Sequence, residues 1–136
     1  MHMDLDHFKK VNDTYGHDAG DRVLREISSV LRKALRTTDV LCRVGGEEFL
    51  VICRETTADQ AQVCAERLRQ QVEEHRIEVS DAAINLTISI GIAERDGATA
   101  DPEALIKRAD LATYASKTAG RNRVSLAGSE SVPPPA

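Results

Sequence analysis

Helical spacing of apolar residues is found in several segments of the chain. In residues 21–36 the apolar positions form one face of a predicted helix: Val23, Leu24, Ile27, Val30, Leu31, Ala34 and Leu35. A second helix is predicted over 57–75, because Thr57 and Gln60 have capping-box spacing and the apolar residues that follow share a face. These two segments predict helices that each bury one side.

Short runs of β-branched and alternating residues predict strands between the helices. The runs 39–44 and 48–54 are joined through Gly45 and Gly46, and we expect a hairpin there because glycine tolerates the positive φ of tight turns. The run 84–93 alternates strictly between apolar and polar residues. This alternation predicts one strand that covers a core on one side only.

The C-terminal part is predicted to contain one more helix and one more strand. Asp101 is a suitable N-cap and Pro102 is favoured in a first turn, so a third helix should begin there. A last strand is expected around 122–126. We therefore expect residues 1–126 to form one domain and the proline-rich residues 127–136 to form a disordered tail.

The predicted element order is helix, strand, strand, helix, strand, helix, strand. It indicates an α+β fold with a mainly antiparallel sheet flanked by helices. The opening "MHMD" reads as the end of a further strand, because Met1 and Met3 flank His2 and lead into Asp4. A strand usually has about five or six residues, so we expect this first strand to be mostly missing.

Composition narrows the possible partners and compartments. The chain has 136 residues, 41% hydrophobic and 3% aromatic, which fits one domain with an aliphatic core. Its net charge of -4 gives no general attraction for nucleic acid or anionic lipid, and we expect neither as a partner. Cys42, Cys53 and Cys64 lack paired spacings and favour reduced thiols. No long apolar run is present, so we expect a cytoplasmic segment unless a missing N-terminal region anchors the parent protein.

Candidate chemistry is concentrated in a polar stretch and in the hairpin. Residues 4–21, "DLDHFKKVNDTYGHDAGD", are rich in carboxylates, amides and histidines, and form either one solvated loop or a site. Adjacent strands would bring Asp4 to Glu47 and Glu48. Close carboxylates repel each other unless a cation lies between them, and hard oxygen ligands suit Mg²⁺ or Mn²⁺.

Four motifs in this order resemble the GGDEF family, the catalytic domain of diguanylate cyclases: "DLDHFKKVNDTYGHDAGD", "RVGGEEF", "LTISIGIA" and "RADLATYASKTAGRNRV". The resemblance implies a palm-like, ferredoxin-like fold of the nucleotide-cyclase type. It also implies condensation of two GTP molecules into cyclic di-GMP with loss of pyrophosphate, in a homodimer. Family domains carry a further segment before Asp4, which this sequence lacks.

The resemblance assigns the metal and catalytic positions. Asp4 and Glu47 would be the metal carboxylates for Mg²⁺ or Mn²⁺, and the backbone carbonyl of Leu5 would also face the ion. Glu47 stands where the family usually has Asp, and would also act as the base near the ribose 3′-hydroxyl. Gly45 and Gly46 would let the nucleotide approach the backbone.

The remaining positions would bind the substrate. Asn12 and Asp21 would read the guanine edge, while His17 would either contact the base or brace the loop. The phosphates would be held by Lys117 and Arg121. The substrate-binding set implied by the resemblance is completed by Phe8, Lys9 and Glu48.

An inhibitory site is implied upstream of the hairpin. Arg36 and Asp39 form an RxxD arrangement that would bind the product cyclic di-GMP and halt turnover, assisted by Arg67. Thr113 and Ser116 depart from the family's usual Leu and Ala, and we expect slightly poorer packing there.

Three interpretations of the function follow: a cyclase, a non-catalytic cyclic di-GMP or GTP-binding module, or an inactive fragment of a cyclase. The intact site residues favour the cyclase and leave turnover by the chain as given an open question.

Overall fold

A computed structural model of the chain describes residues 1–97 and 101–128. In chain order these residues form β1 (His2–Leu5), α1 (Phe8–Tyr15), α2 (His17–Ala34), β2 (Val40–Arg43), β3 (Glu48–Ile52), α3 (Ala58–Glu74), β4 (Ile77–Val79), β5 (Ala82–Ile84), β6 (Ile88–Ile92), α4 (Pro102–Thr118) and β7 (Val124–Leu126). Within these ranges no helix combines the length and the apolarity that crossing a membrane requires.

The main sheet has the strand order β2-β3-β1-β6-β7, with β1 in the centre. β1 pairs antiparallel with both β3 and β6, β2 pairs antiparallel with β3, and β6 pairs parallel with β7. The predicted α+β fold with a mainly antiparallel sheet is therefore confirmed. β1 has four residues, and its pairing with β3 extends back to Met1, whose ammonium donates to the Val51 carbonyl at 2.7 Å.

The two faces of β1 have different surroundings. Met3 and Leu5 are fully buried in the hydrophobic core, together with apolar residues of α2 and α3. On the other face, His2 and Asp4 contact side chains of α4. Because side chains alternate along a strand, β1 contributes to the core and to a polar cluster at the same time.

The alternating segment 84–93 is not one strand with one exposed side. Its beginning belongs to β5, which forms a separate two-stranded hairpin with β4, and only β6 joins the main sheet. All five residues of β6 are buried. A Cβ atom on Gly91 would collide with α4, at the Ala109 carbonyl and at Thr113. The small and polar residues of β6 thus reflect a closely packed helix, so the strand is buried on both sides and not only on the one side predicted.

The polar stretch 4–21 is largely helical, which corrects the prediction of a single loop. α1 and the start of α2 lie within it, separated by Gly16 with a φ of 90° that suits glycine. Phe8 and Val11 are the buried residues of α1. α1 has only 8 residues, which is shorter than the window of about 11 to 18 residues over which helical periodicity is recognised.

The later elements begin as predicted. Thr57 and Gln60 form the reciprocal capping box of α3, and Asp101 accepts a hydrogen bond from the Ala104 amide at 2.7 Å ahead of Pro102. The three cysteines are free and partly buried, which agrees with reduced thiols. At the start of the predicted tail, the Ala127 amide still donates to the Ile92 carbonyl at 2.7 Å, and residues 129–136 lie outside the described residues.

Candidate active site

The pairing of β1 with β3 brings the strand-end aspartate to the hairpin glutamates. Asp4 lies directly opposite Glu48, and the Leu5 amide donates to the Glu47 carbonyl at 3.1 Å. The prediction that adjacent strands bring these carboxylates together is confirmed.

Three oxygen atoms beside the hairpin converge on one cation, the ammonium of Lys117. Its Nζ lies 2.8 Å from Asp4 Oδ1, 3.2 Å from Asp6 Oδ1 and 3.5 Å from the Leu5 carbonyl oxygen. These ligands are two carboxylates and one carbonyl, the donor types that Mg²⁺ and Mn²⁺ prefer. The residues present therefore fit a hard divalent cation.

The charge on Glu47 is disfavoured by its surroundings. Burial and the neighbouring charge of Asp4 raise the pKa of the Glu47 carboxyl, Glu48 adds to this effect, and Lys117 partly opposes it. Carboxylates that disfavour each other's ionised form gain from a cation placed between them. The mutual repulsion of these carboxylates and the arrangement of their oxygen atoms both favour a bound cation at the hairpin.

Asp6 is a central residue of the site that sequence reasoning did not assign. It is buried, and accepts hydrogen bonds from the Thr87 and Ser89 hydroxyls at 2.7 Å each, from the Asn122 amide at 3.0 Å and from Lys117. Burial alone would raise the pKa of Asp6, but the three hydrogen bonds and the Lys117 charge hold it below its ordinary value. The available signal was its two-residue spacing from Asp4 at a strand end.

Asp6 also anchors the turn between α4 and β7. Arg121 and Asn122 in this turn have positive φ values of 65° and 50°, which non-glycine residues seldom adopt. The Asn122 amide is held by Asp6, while its side-chain oxygen accepts from Arg69 at 2.9 Å. The same contacts therefore fix the chain segment that carries Lys117 and exposes Arg121.

The predicted guanine readers lie on two neighbouring helices. Asn12 is on α1 and is partly buried, whereas Asp21 is exposed on α2 and His17 is exposed at its first residue. A Cβ atom on Gly20 would collide with the Asn12 side-chain oxygen. Gly20 therefore makes room for Asn12, a role that sequence analysis missed.

The two residues predicted to wrap the phosphates differ in exposure. Phe8 is 6% exposed and packs into the core at the start of α1, whereas Lys9 beside it is exposed. Of this pair, Lys9 is the side chain that is free to meet a ligand, and Phe8 positions the helix.

Gly45 and Gly46 were predicted to supply the positive φ of a tight turn, and the structure gives them another role. Neither Gly45 nor Gly46 has a positive φ. A Cβ atom on Gly45 would collide with the Glu48 carboxylate, whereas nothing lies within 4 Å of the corresponding position on Gly46. Gly45 thus makes room for the Glu48 side chain, and Gly46 leaves open space in front of the hairpin.

The RxxD residues form an ion pair in the turn after α2. Arg36 donates to Asp39 through Nη2 at 2.9 Å and through its backbone amide at 2.9 Å, and Nη2 also donates to Thr56 at 2.8 Å. Burial alone would raise the pKa of Asp39, but the contacts from Arg36 hold it below its ordinary value. Arg67 donates to the Ala34 carbonyl at 3.1 Å, at the end of α2. The structure thus brings Arg36 and Asp39 together and places Arg67 at the same end of α2.

Comparison with known proteins identifies similar chains. Residues 1–123 match the family model described as diguanylate cyclase, GGDEF domain. The chain is 45% identical to diguanylate cyclase A of Treponema denticola over 124 residues, which cover 91% of this chain and 33% of that protein. It is 47% identical to the response regulator PleD of Caulobacter vibrioides over 124 residues, covering 90% of this chain and 27% of that protein. The chain thus spans about a third or less of the length of these relatives.

Solved structures match over nearly the whole chain. The GGDEF domain of DgcB from Caulobacter crescentus, in complex with c-di-GMP, has a TM-score of 0.89 at 37% identity, covering 94% of this chain and 76% of that chain. The active GGEEF domain of a diguanylate cyclase from Vibrio cholerae has a TM-score of 0.86 at 31% identity, covering 93% of this chain and 80% of that chain. The predicted nucleotide-cyclase-type fold is therefore confirmed.

Proposed function

The chain belongs to the GGDEF family of diguanylate cyclase domains, and we propose that it condenses two GTP molecules into cyclic di-GMP and two pyrophosphates. The observation that carries this proposal is the convergence of the Asp4 carboxylate and the Leu5 carbonyl on the Lys117 ammonium, next to Glu47, whose carboxyl interacts with the charge of Asp4. The named activity of the Treponema relative and the ligand of the DgcB domain support the same substrate and product.

Asp4, Glu47 and the Leu5 carbonyl would hold Mg²⁺ or Mn²⁺. When bound, such an ion neutralises the triphosphate and makes a coordinated hydroxyl more acidic. Burial and the charge of Asp4 raise the pKa of the Glu47 carboxyl in the free protein, and a carboxylate within hydrogen-bond reach of a hydroxyl can serve as its general base. In each condensation the 3′-oxygen of one GTP forms a bond to the α-phosphorus of the other, the bond to pyrophosphate breaks, and Glu47 takes the hydroxyl proton.

Lys117 and Arg121 would bind the phosphate groups, with Lys9 at the start of α1. In the free protein Lys117 contacts Asp4, so we infer that its ammonium moves to the triphosphate when a divalent ion takes over these oxygens. Each domain would hold one GTP. Because the product contains two nucleotides joined symmetrically, two domains must face each other, and catalysis needs a homodimer.

The metal requirement can be tested directly. Removal of divalent ions with EDTA should abolish formation of cyclic di-GMP, and excess Mg²⁺ or Mn²⁺ should restore it, because the oxygen donors around Asp4 suit these ions. Product is measured by chromatography after each treatment. Turnover that persists at full rate in EDTA would contradict the assigned metal site.

The guanine site yields a prediction at Gly20. Asn12 and Asp21 would pair with the guanine edge, with His17 beside them, and Gly20→Ala should displace the Asn12 side chain. We expect GTP affinity to fall about 10-fold, the effect of losing one or two good hydrogen bonds, while the helix stays folded. Calorimetric titration with GTP measures the affinity. Gly97→Ala is the matched control, because nothing lies within 4 Å of a Cβ atom there. Equal GTP affinity in both variants would remove Asn12 from the site.

The RxxD pair yields a second prediction. Cyclic di-GMP would bind at Arg36, Asp39 and Arg67, so Arg36→Ala should weaken product binding by about 10-fold or more through loss of charge-assisted hydrogen bonds. The initial rate should not change, because Arg36 contacts Asp39 and Thr56 and none of the hairpin carboxylates. Product affinity is measured by calorimetry, with the exposed Arg76→Ala as control. Unchanged product affinity would refute the inhibitory site.

A further inference from the structure

The turn between α4 and β7 contains three consecutive residues with positive φ. Gly120, Arg121 and Asn122 have φ values of 124°, 65° and 50°. Residues other than glycine adopt this left-handed region infrequently, and surrounding contacts must hold them there. Arg121 is exposed, and among residues 1–97 and 101–128 its guanidinium has no hydrogen-bond or ion-pair partner. The direction of the Arg121 side chain is therefore set by the backbone of the turn.

Arg69 on α3 holds this turn from outside. Its Nη1 donates to the side-chain oxygen of Asn122 at 2.9 Å, and only 15% of the Arg69 side chain is exposed. Nε and Nη2 donate to the Glu66 carboxylate at 3.2 Å and 3.1 Å, and Nη1 lies 3.7 Å from Glu73. The two glutamates of α3 thus direct the Arg69 guanidinium toward Asn122.

Asn122 is fixed through its side chain as well as through its backbone. Its backbone amide donates to Asp6, its side-chain oxygen accepts from Arg69, and its side-chain nitrogen donates to Glu73. A glycine at this position would adopt the same positive φ without any of the side-chain contacts. The left-handed backbone alone therefore does not account for Asn122, whereas the link to α3 does.

We propose that Arg69 is a positioning residue for phosphate binding, which acts through Asn122 to hold the turn that directs Arg121 toward the triphosphate of GTP. The inference rests on the proposed function, because it uses the assignment of Arg121 to the phosphates. Arg69 makes its own contacts with Glu66, Glu73 and Asn122, so we expect it not to touch the nucleotide.

The test is calorimetric titration with 3′-deoxy-GTP and Mg²⁺, because this analogue lacks the hydroxyl group that condensation needs. Arg69→Gln should weaken binding by about 10-fold, the effect of losing one charge-assisted hydrogen bond to phosphate. Asn122→Gly should weaken it equally, since glycine keeps the positive φ but removes the contact with Arg69. Arg76→Gln is the matched control, because Arg76 is exposed and pairs only loosely with Glu78, at 3.9 Å, and it should bind as wild type does.

A double-mutant cycle separates positioning from a general effect on stability. Arg121→Ala should by itself weaken binding by about 10-fold or more, and adding Arg69→Gln should cause no further loss, because the residue that Arg69 positions is then absent. If Arg69→Gln does not fold, the same cycle with Asn122→Gly decides the outcome.

Two results would overturn the inference and leave the proposed function intact, provided that Arg121→Ala binds weakly. One is wild-type affinity in Arg69→Gln or in Asn122→Gly. The other is an equal further loss when Arg69→Gln is added to Arg121→Ala, which would show that Arg69 only stabilises the fold. Wild-type affinity in Arg121→Ala would instead refute the proposed phosphate contact of Arg121, and the positioning role of Arg69 with it.

Discussion

Glu47→Gln should reduce cyclic di-GMP formation by about 100-fold or more while the protein stays folded, since general-base contributions are typically 10²–10⁴-fold. The amide has nearly the shape of the carboxyl but accepts no proton and is a poor ligand for Mg²⁺. Glu47 lies in the hairpin turn, where its carboxylate is already disfavoured by burial and by Asp4. The attraction to Lys117 is outweighed by these unfavourable effects, so removing the charge should not destabilise the fold. The measurement is chromatography of the products from GTP and Mg²⁺, with circular dichroism as a check on folding.

Glu55→Gln is the matched control for this variant. Glu55 is an exposed glutamate in the turn after β3, outside the group of carboxylates around Asp4. It should retain wild-type turnover. A Glu47→Gln protein that makes cyclic di-GMP at the wild-type rate would show that Glu47 is neither the base nor a required metal ligand.

Asp6→Asn should destabilise the domain by about 2 to 4 kcal/mol, the range for one partner lost from a buried charged network. The two carboxylate oxygens accept four hydrogen bonds, and an amide nitrogen would face donors at one of these positions. Domain stability is only about 5 to 15 kcal/mol, so this loss is large. Urea unfolding measures it.

The same substitution should also reduce turnover at temperatures where the variant remains folded. Asp6 holds the Asn122 amide and the Lys117 ammonium, so its loss frees the turn that carries Arg121 and releases the Lys117 side chain. Asp81→Asn is the control, because Asp81 is exposed in the turn between β4 and β5. If Asp6→Asn unfolds at the same urea concentration as Asp81→Asn, the hydrogen bonds to Asp6 do not support the fold.

Features that depend on local chemistry could be predicted from the sequence. The capping box at Thr57, the N-cap at Asp101 and the hairpin around Gly45 each follow from residues close together in the chain. The position of Asp4 opposite Glu48 could be predicted by assuming in addition that the two strands are neighbours in the sheet.

Features that depend on distant contacts could not be predicted. Asp6 reads as one polar residue among many until Thr87, Ser89 and the turn after α4 place three donors around it. α1 has only 8 residues, and a helix this short depends on packing against other elements, here α2. Ser89 and Gly91 in β6 were placed on the face away from the predicted core, because the sequence does not show how closely α4 approaches.

The departures at Thr113 and Ser116 illustrate the same limit. We expected slightly poorer packing there, yet both residues are buried and hydrogen-bonded. Ser116 donates to the Ile90 carbonyl at 2.9 Å and lies 2.7 Å from the Ser125 hydroxyl, while Thr113 joins His2 to α4. A buried polar residue is tolerated when it has a hydrogen-bond partner. Ile90 and His2 are such partners, and both lie far from α4 in the sequence, so the sequence alone does not reveal them.

The most direct test of the account is the product ratio when the chain is incubated with GTP and Mg²⁺ over a range of protein concentrations. A cyclase whose two nucleotides come from facing domains should release two pyrophosphates for each cyclic di-GMP, and its rate per chain should rise with protein concentration. Chromatography and a pyrophosphate assay measure both quantities in one reaction. Binding of GTP and cyclic di-GMP without any pyrophosphate release at the highest concentration would contradict the proposed catalysis and would instead identify the chain as a nucleotide-binding module.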